Sequence, residues 1–162
     1  MRPMFVLLLT AALAPAKPKE PRPDMTPVLG KDTVAKADIP FGPDEKQRLD
    51  VYRPKAGKNL PVVLYVHGGE WTKGDKAEVS YKPKFFTENG VVFVSTNYRL
   101  YPAAKFPAHA EDVAAAVRWV VDHIADYGGD PKKVVLMGHS AGCHLVTLVA
   151  LDPQYLGKVK LT

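Results

Sequence analysis

The stretch KKVVLMGHSAGCHL, residues 132–145, decides the fold of this chain. Lys133–Met137 is a short apolar run that predicts a buried strand. Gly138–Gly142 then fits the pattern G-x-S-x-G, and Ala141–Ala150 has the composition of a helix. A strand that reverses into a helix at Ser140 lifts the hydroxyl above the sheet edge, and the two glycines of the motif avoid collisions at that reversal. The stretch therefore predicts Ser140 as a nucleophile, facing the partly positive N-terminus of the following helix.

A second glycine-rich turn, HGGEW at His67–Trp71, directly follows the apolar run Pro61–Val66. Two glycines in such a turn allow backbone N–H groups to approach a substrate oxygen closely. We therefore predict that the N–H groups of Gly68, Gly69 and Ala141 form an oxyanion hole beside the serine of the first motif. One donor of this kind typically supplies about 3 kcal/mol of transition-state stabilisation.

The other elements of the chain surround these two turns. Gly42-Pro43-Asp44 separates Thr33–Phe41 from Gln47–Tyr52, which predicts two antiparallel strands. The predicted elements that follow are strand Pro61–Val66, helix Lys76–Asn89 with a break or late start at Pro83, strand Val91–Thr96, helix His109–Tyr127, a turn at Asp130-Pro131, strand Lys133–Met137 and helix Ala141–Ala150. This alternation predicts an α/β fold: a mostly parallel sheet with helices on both faces and an antiparallel N-terminal hairpin.

The N-terminal residues have the composition of an export signal. Residues 1–16 combine Arg2 with a short apolar run and small residues near its end, which predicts a secretory signal peptide and a secreted or periplasmic location. A retained N-terminal anchor is the alternative. Residues 17–32 are rich in proline and predict an extended linker, which leaves residues 33–162 as the folded domain.

Composition narrows the possible partners. The formal charge is 22 − 17 = +5, but the lysines are scattered, so we expect neither nucleic-acid binding nor stable membrane insertion after signal cleavage. Cys143 is the only cysteine, which excludes an internal disulfide. His139 and His144 are five residues apart, a spacing that does not align two metal ligands on one helix face. We expect no metal and no cofactor, and a small-molecule ester or amide as the substrate.

Three segments of the chain resemble the α/β-hydrolase superfamily. The closest resemblance is to the carboxylesterase group that includes feruloyl-esterase-like enzymes and kynurenine formamidase. Its oxyanion segment resembles HGGEW (67–71), and its following loop and helix resemble NYRLYPAAKFPAHAEDVAAAVRWV (97–120). Its nucleophile elbow resembles GGDPKKVVLMGHSAGCHL (128–145). The resemblance implies a serine hydrolase that acts on small carboxylic esters or aryl formamides through an acyl-enzyme on Ser140. We also expect Glu70, Trp71 and His139 to contact the substrate.

Several other residues have structural interpretations. An ion pair between Asp112 and Arg99 would hold the loop that contains Arg99 beside the elbow. Cys143 is interpreted as a small core residue rather than a nucleophile. His67 is expected to brace the oxyanion turn, and His144 is not placed to act as a base toward Ser140. His109 and His123 are expected to be solvated or to lie at an interface.

The family's catalytic triad needs an acid and a histidine after the serine. Asp152 is the only acidic residue after Ser140 in this sequence and His144 is the only histidine, and neither is placed to complete a catalytic triad with Ser140. The sequence therefore resembles the N-terminal part of a longer hydrolase, and the alternative function is an inactive fragment or a non-enzymatic binding module. Val134–Met137 would then form an open apolar edge through which the chain associates with itself.

Overall fold

The computed structural model describes residues 24–161, which contain one five-stranded sheet and four α-helices. The elements are β1 (Thr33–Pro40), β2 (Arg48–Pro54), β3 (Leu60–Val66), α1 (Lys82–Glu88), β4 (Val92–Thr96), α2 (Ala108–His123), a 3₁₀ turn (Ile124–Tyr127), β5 (Gly129–Gly138), α3 (Ala141–Leu151) and α4 (Pro153–Lys158). The predicted signal peptide, residues 1–16, and residues 17–23 of the predicted linker lie outside the described residues. Across 24–161, no helix has both the length and the apolar character needed to span a bilayer.

The sheet has the order β1-β2-β4-β3-β5. β1 and β2 form the predicted antiparallel hairpin, and β2 also pairs antiparallel with β4. β3 pairs in parallel with both β4 and β5. The carboxyl ends of β3 and β5 therefore lie side by side, with Val66 opposite Gly138, and the two glycine-rich turns leave the same edge of the sheet.

The core consists of two layers, one on each face of the sheet. Val62, Leu64 and Val66 of β3 point to the larger layer, which packs against α2, α3 and α4. Tyr65 of β3 and Phe93 of β4 point to the smaller layer, where Phe86 of α1 stacks on Phe93 at 5.2 Å between ring centroids. Because successive strand residues face opposite sides, the continuous apolar runs of β3 and β4 fill both layers. Helices on both faces confirm the predicted α/β arrangement.

Helix α2, predicted over His109–Tyr127, is amphipathic. Its buried face includes Val113, Val117 and Val120, which pack on the larger layer. The α-helix ends at His123 and continues as the 3₁₀ turn to Tyr127. Gly128 then takes a φ of 82°, the left-handed conformation that closes a helix, as the sequence predicts.

The helix predicted over Lys76–Asn89 is shorter than expected. It begins at Lys82 and places Pro83 in its first turn, because a proline there loses no intrahelical hydrogen bond. The preceding residues have other partners: the backbone N–H of Lys76 donates to the side chain of Asn97 at 2.6 Å.

Strand β5 differs from the prediction of a fully buried strand. Among the described strands it pairs only with β3, and Val135 is 59% exposed. The strand also begins earlier than predicted, at Gly129, and its first part contains the predicted turn at Asp130-Pro131. The pairing with β3 is irregular there: Gly129 is opposite Leu60, and the next paired residue, Val134, is opposite Val62. A proline is tolerated here because an edge strand leaves N–H groups unpaired.

The last residues of the predicted linker lie against the domain. The carbonyl of Met25 accepts hydrogen bonds from the N–H groups of Val79 and Ser80, at 3.0 and 2.8 Å. The N–H of Val28 donates to the carbonyl of Ser80 at 2.8 Å. Residues 24–30 have no regular secondary structure, and backbone contacts hold them to the domain.

Candidate active site

Ser140 occupies a strained reversal between β5 and α3. Its φ of 51° and ψ of −118° lie in a region that non-glycine residues rarely adopt. A Cβ on Gly138 would stand 2.4 Å from the carbonyl carbon and oxygen of Gly142. A Cβ on Gly142 would stand 2.1 Å from the carbonyl oxygen of Val66, at the end of β3. Both glycines are therefore required sterically, and the sharp turn predicted at Ser140 is present, with Ser140 itself exposed.

The second glycine-rich turn lies directly against this reversal. A Cβ placed on Gly68 would stand 3.1 Å from the Cβ of Ser140 and 2.9 Å from the carbonyl oxygen of His139. Gly69 has a φ of 117°, and a Cβ there would stand 2.0 Å from the carbonyl oxygen of Lys73. The absence of a side chain at Gly68 lets the turn approach the serine, and its absence at Gly69 lets the turn close on Lys73.

Three backbone N–H groups of the two glycine-rich turns are free to donate. Within residues 24–161, the N–H groups of Gly68, Gly69 and Ala141 have no hydrogen-bond acceptor, whereas those of Thr72 and Lys73 donate to the Gly69 carbonyl at 3.0 Å. Ala141 is also the first residue of α3, where helix geometry leaves N–H groups unpaired. Free donors beside a serine hydroxyl can stabilise negative charge on a substrate oxygen.

His67 braces the turn after β3 from beneath, as its interpretation from the sequence states. The imidazole is 2% exposed, stacks on Tyr98 at 4.6 Å between centroids, and donates from Nδ1 to the Gly68 carbonyl at 2.7 Å. Burial lowers the pKa of His67 below its ordinary value, although the hydrogen bond to Gly68 opposes this effect. The ring is therefore neutral at pH 7.

A network of charges, in which Lys76 and Asp50 are buried and Asp38 is exposed, anchors the segment that follows the same turn. The Lys76 ammonium lies 2.8 Å from carboxylate oxygens of both Asp38 and Asp50, and its side chain is only 9% exposed. Burial lowers the pKa of Lys76, but its hydrogen bonds to the two carboxylates outweigh this and raise it above the ordinary value. The side chain of Asn97 joins the network by donating to Asp75 at 3.0 Å. The network ties the turn after β3 to the N-terminal hairpin.

The loop after β4 is held by the predicted ion pair. The Arg99 guanidinium donates to Asp112 of α2 at distances from 2.7 to 3.1 Å, and the Arg99 backbone N–H donates to the same carboxylate at 2.9 Å. Asp112 also accepts from the side chain of Gln47 at 2.8 Å. The N–H of Tyr101 then donates to the carbonyl of Trp71 at 2.8 Å, so this loop lies against the oxyanion turn.

A mostly apolar cavity of about 400 Å³ opens between this loop, the oxyanion turn and α3. It is lined by Glu70, Trp71, Thr72, Tyr101, Phe106, His109, His144 and Leu145. Two of the three predicted substrate contacts, Glu70 and Trp71, line this cavity. The third, His139, lines instead a smaller cavity of about 150 Å³ together with His67, Gly68 and Gly69.

Two interpretations of single residues are wrong. Cys143 is exposed rather than in the core, because the buried face of α3 is formed by Leu145, Val146 and Val149 together with the first two residues of the helix. His109 is buried, with 5% exposure, because the first turn of α2 packs under the loop after β4. The exposed position of His123 agrees with its prediction.

Tyr101 and Phe106 were not among the predicted lining residues. Each precedes a proline in the loop between β4 and α2, and each is more than half exposed, at 52% and 64%. Aromatic residues next to prolines in a loop that follows a buried strand are the signal that could have indicated them. His144, which we did not expect to contribute, contacts Trp71 edge-on at 5.5 Å between centroids.

Comparisons of the chain with known proteins agree on one family of esterases. The family model described as BD-FAE matches residues 49–157. Esterase LipQ of Mycobacterium tuberculosis is 42% identical over 121 residues, which cover 72% of this chain and 29% of that protein. The chain thus spans less than a third of the length of this relative.

Solved esterase structures share the fold. An inhibited esterase B from Lactobacillus rhamnosis aligns with a TM-score of 0.69 and 29% identity, over 76% of this chain and 41% of that one. EstE1, a thermostable carboxylesterase cloned from a metagenomic library, aligns with a TM-score of 0.65 and 34% identity, over 80% of this chain and 44% of that one. These neighbours agree with the α/β-hydrolase fold expected from the sequence.

Proposed function

The chain belongs to the BD-FAE family and has the α/β-hydrolase fold, and from this premise we propose that it is a serine hydrolase of small carboxylic esters. Its matched relatives are named esterases, and the chain spans 29% of the length of one of them. The activity of the whole protein, like that of this chain, is therefore part of the proposal.

In the proposed reaction, the Ser140 oxygen attacks the ester carbonyl carbon and its proton passes to a base. The N–H groups of Gly68, Gly69 and Ala141 stabilise the negative oxygen of the tetrahedral intermediate. The intermediate collapses, the alcohol leaves with a proton, and the acyl group stays on Ser140. Water then hydrolyses the acyl-enzyme to the acid and the free serine.

One observation carries the proposal: the exposed, strained Ser140 lies against Gly68 among backbone N–H groups that have no acceptor within residues 24–161. A serine that only capped a helix would have no need of this arrangement. In the same described range, no histidine hydrogen-bonds to the Ser140 hydroxyl. A serine without its base retains only the catalysis that binding and the oxyanion hole supply, slower by roughly 10⁴ to 10⁶ than a complete triad.

Covalent labelling tests the nucleophile directly. Because no base hydrogen-bonds to Ser140 within residues 24–161, we expect a fluorophosphonate probe to label the 162-residue chain slowly and p-nitrophenyl acetate to be hydrolysed weakly, and both signals to disappear in Ser140→Ala. Cys143→Ser is the matched control, because Cys143 is exposed and lies three residues from Ser140. Labelling that survives in Ser140→Ala but is lost in Cys143→Ser would assign the reaction to the thiol and contradict the proposal.

The second candidate function is a binding module without catalysis. It is favoured by the absence, within residues 24–161, of a hydrogen bond between Ser140 and a base. No labelling and no hydrolysis by the correctly folded chain would support this candidate. Aryl formamides are the alternative substrate class, and a comparison of turnover with phenyl formate and formanilide, which differ only in the ester or amide link, distinguishes them.

We also propose that the protein is exported, on the basis of the charged and apolar pattern of residues 1–16. Expression of the chain in a bacterial host, followed by fractionation and N-terminal sequencing, tests this. Processing near residue 16 with recovery outside the cytoplasm is the expected result. An unprocessed protein that stays in the cytoplasm would contradict export.

A further inference from the structure

We propose that the cavity beside the start of α3 binds a quaternary ammonium group, so that the preferred substrates are esters that carry a trimethylammonium-type cation. This inference rests on the proposed hydrolytic function and deepens it by naming a substrate class. It is supported by the accessible aromatic rings of the cavity, by its one acidic residue and by the strained backbone that holds part of its wall.

Three aromatic side chains line this cavity, and all of them are open to solvent. Trp71 is 38% exposed, Tyr101 52% and Phe106 64%, so a ligand can reach the rings themselves. They come from two loops, which the hydrogen bond from the Tyr101 N–H to the Trp71 carbonyl holds together at 2.8 Å. Aromatic faces attract a cation within about 6 Å of the ring centroid, and sets of such rings bind quaternary ammonium ligands.

The apolar wall of the cavity favours a cation that needs no hydrogen bonds. A primary ammonium has three N–H donors, and burying them against rings and Leu145 without acceptors would be costly. A trimethylammonium group has no N–H donor, and its methyl groups can pack directly on the aromatic rings. The cavity volume of about 400 Å³ lies within the range of roughly 300–1,000 Å³ typical of small-molecule sites.

The formal charge at the cavity wall is negative. Among the described residues that line it, only Glu70 is acidic and none is lysine or arginine. The Glu70 carboxylate lies 3.3 Å from the Lys73 ammonium, but both side chains are exposed, and such a pair is weak enough for a bound cation to share the carboxylate. Lys105, next to Phe106 in the sequence, is exposed and does not line the cavity.

The backbone holds Glu70 and Trp71 in a conformation that non-glycine residues rarely adopt. Their φ values are 58° and 59°, both in the left-handed region, and such strain clusters at active sites and ligand clamps. Glu70 directly follows Gly69 of the oxyanion turn. On the α3 side, the N–H of the lining residue His144 donates to the Ser140 carbonyl at 3.2 Å. The cavity thus borders both the oxyanion turn and the nucleophile, where one end of an ester substrate would lie.

A binding experiment isolates this role from catalysis. The probes are choline and 3,3-dimethyl-1-butanol, which have the same shape and differ in a cationic nitrogen in place of a neutral carbon. Saturation-transfer NMR on the methyl signal of each probe gives its dissociation constant. The proteins are the 162-residue chain, Trp71→Leu, Tyr101→Leu and Glu70→Gln. Tyr81→Leu is the matched control, because Tyr81 is an aromatic residue of similar exposure, 66%, outside the cavity.

We expect the unmodified chain to bind choline about fivefold more tightly than the neutral probe, the order of one cation–π contact at a partly exposed site. Trp71→Leu and Tyr101→Leu should bring the ratio close to one, and Glu70→Gln should weaken choline binding about twofold without affecting the neutral probe. Tyr81→Leu should keep the original ratio. Circular dichroism checks that each variant is folded.

Equal dissociation constants for the two probes, no binding of either probe, or a preference for choline that survives both Trp71→Leu and Tyr101→Leu would overturn the inference. Neither probe is an ester, so the result does not depend on turnover. Labelling of Ser140 is a separate measurement, and a failure of this inference is therefore distinguishable from a failure of the proposed hydrolysis.

Discussion

The two glycine-rich turns at the carboxyl edge of the sheet are built in different ways. The turn after β5 is held by its own backbone, since Gly138 packs against Gly142 and Gly142 packs against the end of β3. The turn after β3 is held by distant side chains, which include Tyr98 beneath His67 and the two carboxylates around Lys76.

This difference shows that one part of the candidate active site is positioned by neighbouring residues in the sequence and the other part by residues distant in the sequence. The position of Ser140 follows from the steric requirements of a few consecutive residues. The position of Gly68 and Gly69 depends on residues 38, 50 and 97–98, which are distant in sequence. Substitutions in the hairpin or in the loop after β4 should therefore displace the turn after β3 more than they displace Ser140.

The largest effect is expected from removing the charge that anchors the turn after β3. Lys76→Met leaves the buried carboxylate of Asp50 without its cation, a change that typically costs about 3–5 kcal/mol. Lys73→Met is the matched control, because its pair with Glu70 is exposed and is worth at most about 1 kcal/mol. Urea denaturation measures both. Equal losses in the two variants would mean that the Lys76 network does not support the turn.

A smaller but still large loss is expected when the turn after β5 is overfilled. Gly142→Ala drives a methyl group against the carbonyl of Val66 and should cost about 2–3 kcal/mol. Gly90→Ala is the control: it has open space around it, and its φ of 72° alone should cost about 1 kcal/mol. Thermal and urea unfolding of both variants gives the comparison. The local account of the elbow fails if Gly142→Ala is as stable as Gly90→Ala.

Acidification should weaken the turn after β3 in particular. Because burial lowers the pKa of His67, the folded state favours the neutral ring. The stability that this provides is complete above the unfolded pKa of about 6.5 and is lost as the pH falls toward the folded value. His67→Gln should therefore flatten the decline in unfolding free energy between pH 7.5 and pH 5, whereas His123→Gln, at an exposed site, should not. An unchanged slope in His67→Gln would contradict this account.

A substitution on the exposed edge of strand β5 is expected to have the smallest effect on stability. It is expected to change the association of the chain with itself. Val135 is 59% exposed on a strand that pairs only with β3 among the described strands, so we propose that the chain associates with itself through this edge. Val135→Lys should change the unfolding free energy by about 0.5 kcal/mol or less while it shifts the chain toward monomer in analytical ultracentrifugation. A wild-type chain that is already monomeric at high concentration would refute the association.

Much of the fold followed from the sequence because its signals are local. The continuous apolar runs of β3 and β4, the amphipathic pattern of α2 and the glycine after Tyr127 each indicate their element within a few residues. The pair between Arg99 and Asp112 was also predictable, since a charge in a loop and one at the start of the next helix can be matched by position. The late start of α1 at Pro83 and the open edge of β5 were also predicted, whereas the early start of β5 at Gly129 was not, because it depends on pairing with the distant residue Leu60.

For the candidate active site, the sequence by itself determined the reversal at Ser140, its two obligatory glycines and the presence of a second glycine-rich turn. The sequence also predicted that Gly68 lies beside Ser140, and the structure agrees. The tertiary structure alone decided that His109 is buried beside a cavity and that His139 faces a different cavity from Trp71. The physical reason is the range of the forces involved. Steric limits on the backbone act between adjacent residues, so the order of the residues determines them. Burial and cavity shape arise only when distant segments pack together.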